Sequence, residues 1–91
     1  MTKDNRYNLI KPMIDQGHIK SFEDVFKFIP KTVVANDLGM HSSRFTELIQ
    51  KVDNFRIKDL VLLARLCNVN PRELAELVFK QYESNKSRSE K

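Results

Sequence analysis

Between His41 and Gln50 the 91-residue chain concentrates side chains that hydrogen-bond: His41, Ser42, Ser43, Arg44, Thr46 and Gln50. Presented on one exposed face, groups of these types can read the edges of base pairs. A bidentate arginine on guanine is the commonest specific contact and is worth about 1–3 kcal/mol of discrimination, which makes Arg44 the sharpest candidate. Pairing with Asp37 or Asp53 is the competing use of the same guanidinium. Glu47 also has two uses, an ion pair with Lys51 four residues on or acceptance from a cytosine amine. Lys31, Thr32, Lys51, Arg56 and Lys58 flank the array and suit phosphate oxygens, contacts that fix register without reading sequence. The free N–H groups that open a helix would add to them.

Other chemistries have little to work with. His18 and His41 are the only histidines, and neither stands in a Ser/His/Asp or Cys/His context. No glycine-rich phosphate loop exists. The expectation is a protein that is not an enzyme and takes no cofactor, metal or small-molecule substrate. Cys67 is the single cysteine and lies inside an apolar run, so it reads as a buried structural thiol. The formal charge is +4, and half of it sits beyond Ser84, where Lys86, Arg88 and Lys91 face only Glu90. Such a balance permits a polyanionic partner without demanding one. No apolar run approaches the roughly 18 residues of a membrane span, and the N-terminus leads into no signal-peptide core, so a soluble cytoplasmic protein is expected.

The elements that must position these residues are helical. Two glycines and three prolines interrupt a sequence whose apolar residues recur at spacings of three and four, without the alternation of strands. A first helix is expected from about Arg6 to Gln16, with Tyr7, Ile10 and Ile14 inward and Gly17 as its stop; Pro12 either kinks it or marks its start. Ser21 caps a second segment that buries Phe22, Val25, Phe26 and Ile29 before Pro30. Further on, Ile57 to Asn68 carries an apolar stripe of Ile57, Leu60, Val61, Ala64 and Cys67. Asn70, Pro71 and Glu73 then spell a reciprocal cap, with Val69 and Leu74 as a hydrophobic staple. The last helix is expected to turn Leu74, Leu77, Val78 and Tyr82 inward, with Phe79 near the edge. From Ser84 the residues are all polar, which predicts a disordered tail.

Residues 31–50 lie between those helices. Val34, Ala35 and Leu38 give a short helix an apolar face, and Gly39 permits the positive φ of a sharp turn. Met40 plugs the turn, and Phe45, Leu48 and Ile49 supply the buried face of a second short helix. Its other side, with Ser42, Ser43, Thr46, Glu47 and Gln50, is left to protrude, the geometry that enters a major groove.

This window resembles the helix-turn-helix of the Cro/phage-repressor family, which expects alanine, glycine and two later apolar residues where Ala35, Gly39, Phe45 and Leu48 stand. The resemblance extends over roughly residues 22–79, since Leu60 to Leu66 with Ala64, and then Asn70 to Leu77, match the helices that follow in that family. It implies a five- to six-helix, lambda repressor-like all-α domain. Residues 1–20 would form an added N-terminal helix or arm, 21–83 the domain, and 84–91 the tail. It also implies sequence-specific binding of double-stranded DNA and transcription regulation. A homodimer would span half-sites about one helical turn apart, paired through Met1–Gly17 or through the last helix with Phe79 and Tyr82. The chain departs from the family at the opening of the first motif helix, where Pro30 and Lys31 replace a hydroxyl cap and glutamine. His41 stands at the cap of the second, so that Ser42 is an alternative cap. Phe45 needs a larger pocket than the usual isoleucine or valine, one that the following loop can supply. The rival function is a helical protein-interaction or antitoxin-like adaptor that binds no DNA.

Overall fold

Gly17, Gly39 and Asn68 end three helices in the same way, each with a positive φ of 80°, 74° and 58° respectively. In each case the two N–H groups at and after that residue turn back onto helix carbonyls. His18 donates to Met13 O, Met40 to Ala35 O and Val69 to Ala64 O, all at 2.9 Å. This double closure satisfies the carbonyls that a helix end otherwise leaves bare.

The computed structural model describes residues 4–89, all-helical and without a strand among them. A 3-10 turn over Asn5–Leu9 runs into α1 (Ile10–Asp15), and a second 3-10 segment covers Phe22–Lys27. Next come α2 (Lys31–Asp37), α3 (Ser42–Gln50), a short 3-10 turn over Val52–Asn54, α4 (Ile57–Cys67) and α5 (Pro71–Ser89). The helix expected from Arg6 is therefore split. Pro12 falls in the first turn of α1, where its missing N–H is least costly, and the chain ahead of it winds more tightly. The Phe22–Lys27 segment is closed from behind by Asp24, whose carboxylate accepts from the N–H groups of Lys20 at 2.9 Å and Ser21 at 3.2 Å.

One apolar cluster joins every element. Tyr7 and Ile10 from the N-terminal segment meet Phe22, Val25 and Ile29, then Val34, Ala35, Phe45 and Ile49, and finally Leu63, Ala64, Cys67, Leu74 and Leu77. Phe45 finds its larger pocket in a nest of edge-to-face rings, 5.3 Å from Phe26 and 6.4 Å from both Phe22 and Phe55. Phe55 comes from the loop after α3, as the size of Phe45 requires. Cys67 is a buried free thiol.

Four expectations are corrected. Ile57 is 77% exposed, because the first turn of α4 extends past the core and only Leu63, Ala64 and Cys67 are buried on that helix. On α5 it is Gln81 that points inward, 1% exposed, while Tyr82 is 41% exposed. Gln81 continues the spacing of Leu74 and Leu77, and its amide is satisfied there. It accepts from Glu23 N–H at 2.9 Å and donates to Asn85 Oδ1 at 2.9 Å. Asn70 does cap α5, accepting from Arg72 N–H at 2.9 Å, but Glu73 does not reciprocate. Its carboxylate instead takes Lys11 Nζ at 3.1 Å, tying α1 to α5. Last, α5 runs on through Ser89 where a disordered tail was expected; Glu90 and Lys91 lie outside the described residues. Asn85 explains the continuation, because its amide donates to Ile49 O at 2.9 Å and Gln50 O at 3.0 Å and so fastens that turn to the end of α3.

Candidate nucleic-acid interface

Two short helices are held at a fixed angle by the four residues Leu38 to His41. Gly39 supplies the reversal, Met40 is half-buried beneath it, and Val34, Ala35, Phe45, Leu48 and Ile49 bury the faces the helices turn inward. His41 is the N-cap of α3 with extended φ and ψ, and its side chain makes no capping hydrogen bond. Ser42 is the first helical residue, so the alternative cap at Ser42 is not used. The first helical hydrogen bond runs from Phe45 N–H to His41 O at 3.1 Å, and the N–H groups ahead of it point out of the helix.

Of the six base-edge candidates, His41, Ser42, Ser43, Arg44 and Gln50 are exposed and Thr46 is half-buried. They do not all share one line. Ser43, Glu47 and Gln50 follow one another at spacings of four and three, directly opposite the buried face. Thr46 sits to one side of that line. Arg44 sits to the other, one turn ahead of the buried Leu48, and so leans towards the loop that follows α3 and the start of α4.

The cations are distributed around this face. Arg44, Arg56 and Lys58 line one cleft of about 380 Å³ together with His41, Asn54 and Asp59. Arg44 also lines an adjoining cleft of about 240 Å³ with Glu47, Lys51 and Asn54. Lys31 and Thr32 stand apart, on the first turn of α2. Gln50 and Lys51 share a third cleft with Asn85 and Lys86, at the far end of α3. Lys86 was assigned no role from sequence, because it fell in a segment expected to be disordered.

Asp4 and Arg6, Lys11 with Asp15 and Glu73, and Asp24 and Lys27 form ion pairs. None involves residues 31–58. Arg44 therefore pairs with neither Asp37 nor Asp53, and Lys51 does not pair with Glu47. Asp37 accepts instead from the phenol of the buried Tyr7 at 2.7 Å, which anchors the end of α2 to the N-terminal segment. Burial first, and that hydrogen bond second, push the Tyr7 phenol far above its ordinary value and keep it protonated as a donor.

No group of three or more His, Cys, Asp or Glu among the described residues is placed to hold a metal. No helix there is long and apolar enough to cross a membrane. In comparison with known proteins, the chain matches no family model, no curated protein and no solved structure.

Proposed function

We propose that this chain binds double-stranded DNA in a sequence-specific manner, with α3 in the major groove, and regulates transcription in the cytoplasm. The observation that carries this reading is the exposed line of Ser43, Glu47 and Gln50 on a helix held at a fixed angle by the Gly39 turn, with unpaired cations on its flanks. A groove binder needs this division of labour, with a protruding polar helix to meet bases and cations beside it to meet phosphates. The same arrangement supports the resemblance to the Cro/phage-repressor helix-turn-helix.

One such domain reaches only a few base pairs, and a second copy would supply the other half-site. A groove of about 310 Å³, lined by Val52, Leu60, Ala75, Val78, Phe79 and Tyr82 with Asp53, supports pairing through α5. It adjoins the cleft at the end of α3, sharing Val52, Asp53 and Tyr82 with it, so a copy seated there would bring its own α3 close to the first. Sedimentation equilibrium on the wild type and on Phe79→Glu tests the dimer.

The test of DNA binding is titration of mixed-sequence duplex at low salt and at about 200 mM. A protein neutralising several phosphates loses orders of magnitude in affinity across that range, because binding releases counterions. No binding at either salt concentration would favour the adaptor, for which the exposed Ile57, Leu62 and Phe79 are the supporting observation.

A further inference from the structure

We propose that Arg44 holds a backbone phosphate and reads no base, forming with Arg56 and Lys58 one anion-binding cleft on the shoulder of α3. This rests on the DNA reading above and specifies how the surface divides its work. Three observations carry it. Arg44 and Leu48 are four residues apart, and Leu48 is buried at 7% exposure, so Arg44 leaves the helix on its flank, away from the line of Ser43, Glu47 and Gln50. Both clefts that Arg44 lines reach residues from outside α3: Asn54, Arg56, Lys58 and Asp59 in one, and Lys51 and Asn54 in the other, where Glu47 forms the edge nearest the exposed line. Finally, Arg44, Arg56 and Lys58 have no ion-pair partner among the described residues.

Three cations line a cleft of about 380 Å³ in which Asp59 is the one carboxylate, with the His41 ring and Asn54 amide at its wall, which leaves the cleft with a surplus of positive charge. A phosphodiester is the anion that fits. It is compact and presents two oxygens that a guanidinium engages with parallel hydrogen bonds. It also repeats along a duplex at the flank of a groove-bound helix, where Arg44 points. Arg56, the N-cap of α4, and Lys58, within its first turn, fix the opposite wall of the cleft. With Arg44 assigned to the backbone, base reading falls to the short side chains Ser42, Ser43 and Thr46 and to Gln50.

The experiment compares wild type with Arg44→Ala and Arg44→Lys on a duplex selected from random sequence and on a scrambled duplex of the same composition, between 50 and 200 mM NaCl. Arg44→Ala is expected to weaken both duplexes by the same factor and to flatten the slope of log affinity against log salt by about 0.9, the share of one phosphate. Arg44→Lys keeps the charge but not the planar fork, so it should restore the salt slope while recovering only part of the lost affinity. A loss confined to the selected duplex, relaxed preference at one base position, or a lysine variant whose salt slope is as flat as the alanine's would overturn the proposal. Unchanged circular dichroism excludes misfolding, since Arg44 is exposed. If wild type binds neither duplex, the DNA reading fails instead, and titration with inorganic phosphate followed by NMR tests the cleft alone. Saturable shifts at Arg44, Arg56 and Lys58, lost in Arg44→Ala, support it, and their absence overturns it.

Discussion

Tyr7 is fully buried, yet its one polar atom reaches the exposed Asp37 at 2.7 Å, so a residue near the start of the chain fixes the end of the first motif helix. Tyr7→Phe keeps the packing and removes only that hydrogen bond, and should cost about 1 kcal/mol in denaturant titrations. The pH dependence follows from the same environment. The folded phenol titrates above its unfolded value of about 10, so its contribution is whole below that pH and drains away as pH rises towards the folded value. Wild type should therefore lose more stability than Tyr7→Phe between pH 8 and pH 11. Residues of this kind were only half legible in the sequence. Tyr7 announced itself as apolar at helical spacing, but its partner, 30 positions away, left no local mark. Gln81 hid for the opposite reason: it continues the Leu74–Leu77 spacing, and a search for apolar stripes passes over an amide.

At the scale of elements, the punctuation was the most legible part. Glycine and asparagine tolerate a positive φ, and proline forbids certain hydrogen bonds, so Gly17, Gly39, Pro30 and Pro71 mark boundaries by local rules that need no tertiary context. Residues 31–50, read by such rules as two short helices about a glycine turn, form α2 and α3 with Gly39 between them. What was not legible is the tighter winding of Asn5–Leu9 and Phe22–Lys27, because the choice between 3-10 and α closure is made by packing and by side chains such as Asp24. The turn itself offers a direct test. A Cβ built on Gly39 meets nothing within 4 Å, so replacement by alanine is resisted by the backbone conformation alone. Gly39→Ala should lose about 1–2 kcal/mol of stability on thermal or chemical denaturation, and Gly39→Asn less. On the proposed DNA reading, duplex affinity should fall with it, since the turn between α2 and α3 loosens.

At the scale of the whole molecule, the described residues share a single core. The N-terminal segment contributes Tyr7 and Ile10 to the same cluster as α4 and α5, and Lys11 is paired with Glu73 across its surface. That pair is half-exposed on both sides and is worth at most about 1 kcal/mol, so the segment is held by burial and not by charge. At the other end, Asn85 spans 35 residues to Gln50 and grips the final carbonyls of α3, with Gln81 and Glu23 behind it. The helix proposed to enter the groove is thus clamped twice, at its start by the glycine turn and at its end by a stretch of chain whose composition looks expendable. A chain ending at Glu83 should still fold, because every large buried side chain is retained. Its backbone amides over residues 48–51 should exchange faster with solvent, and on the proposed DNA reading its duplex affinity should drop. On the proposed DNA reading, the Asn85 clamp works as a dimmer on recognition: releasing it slackens the probe from behind while leaving the exposed side chains of α3 in place.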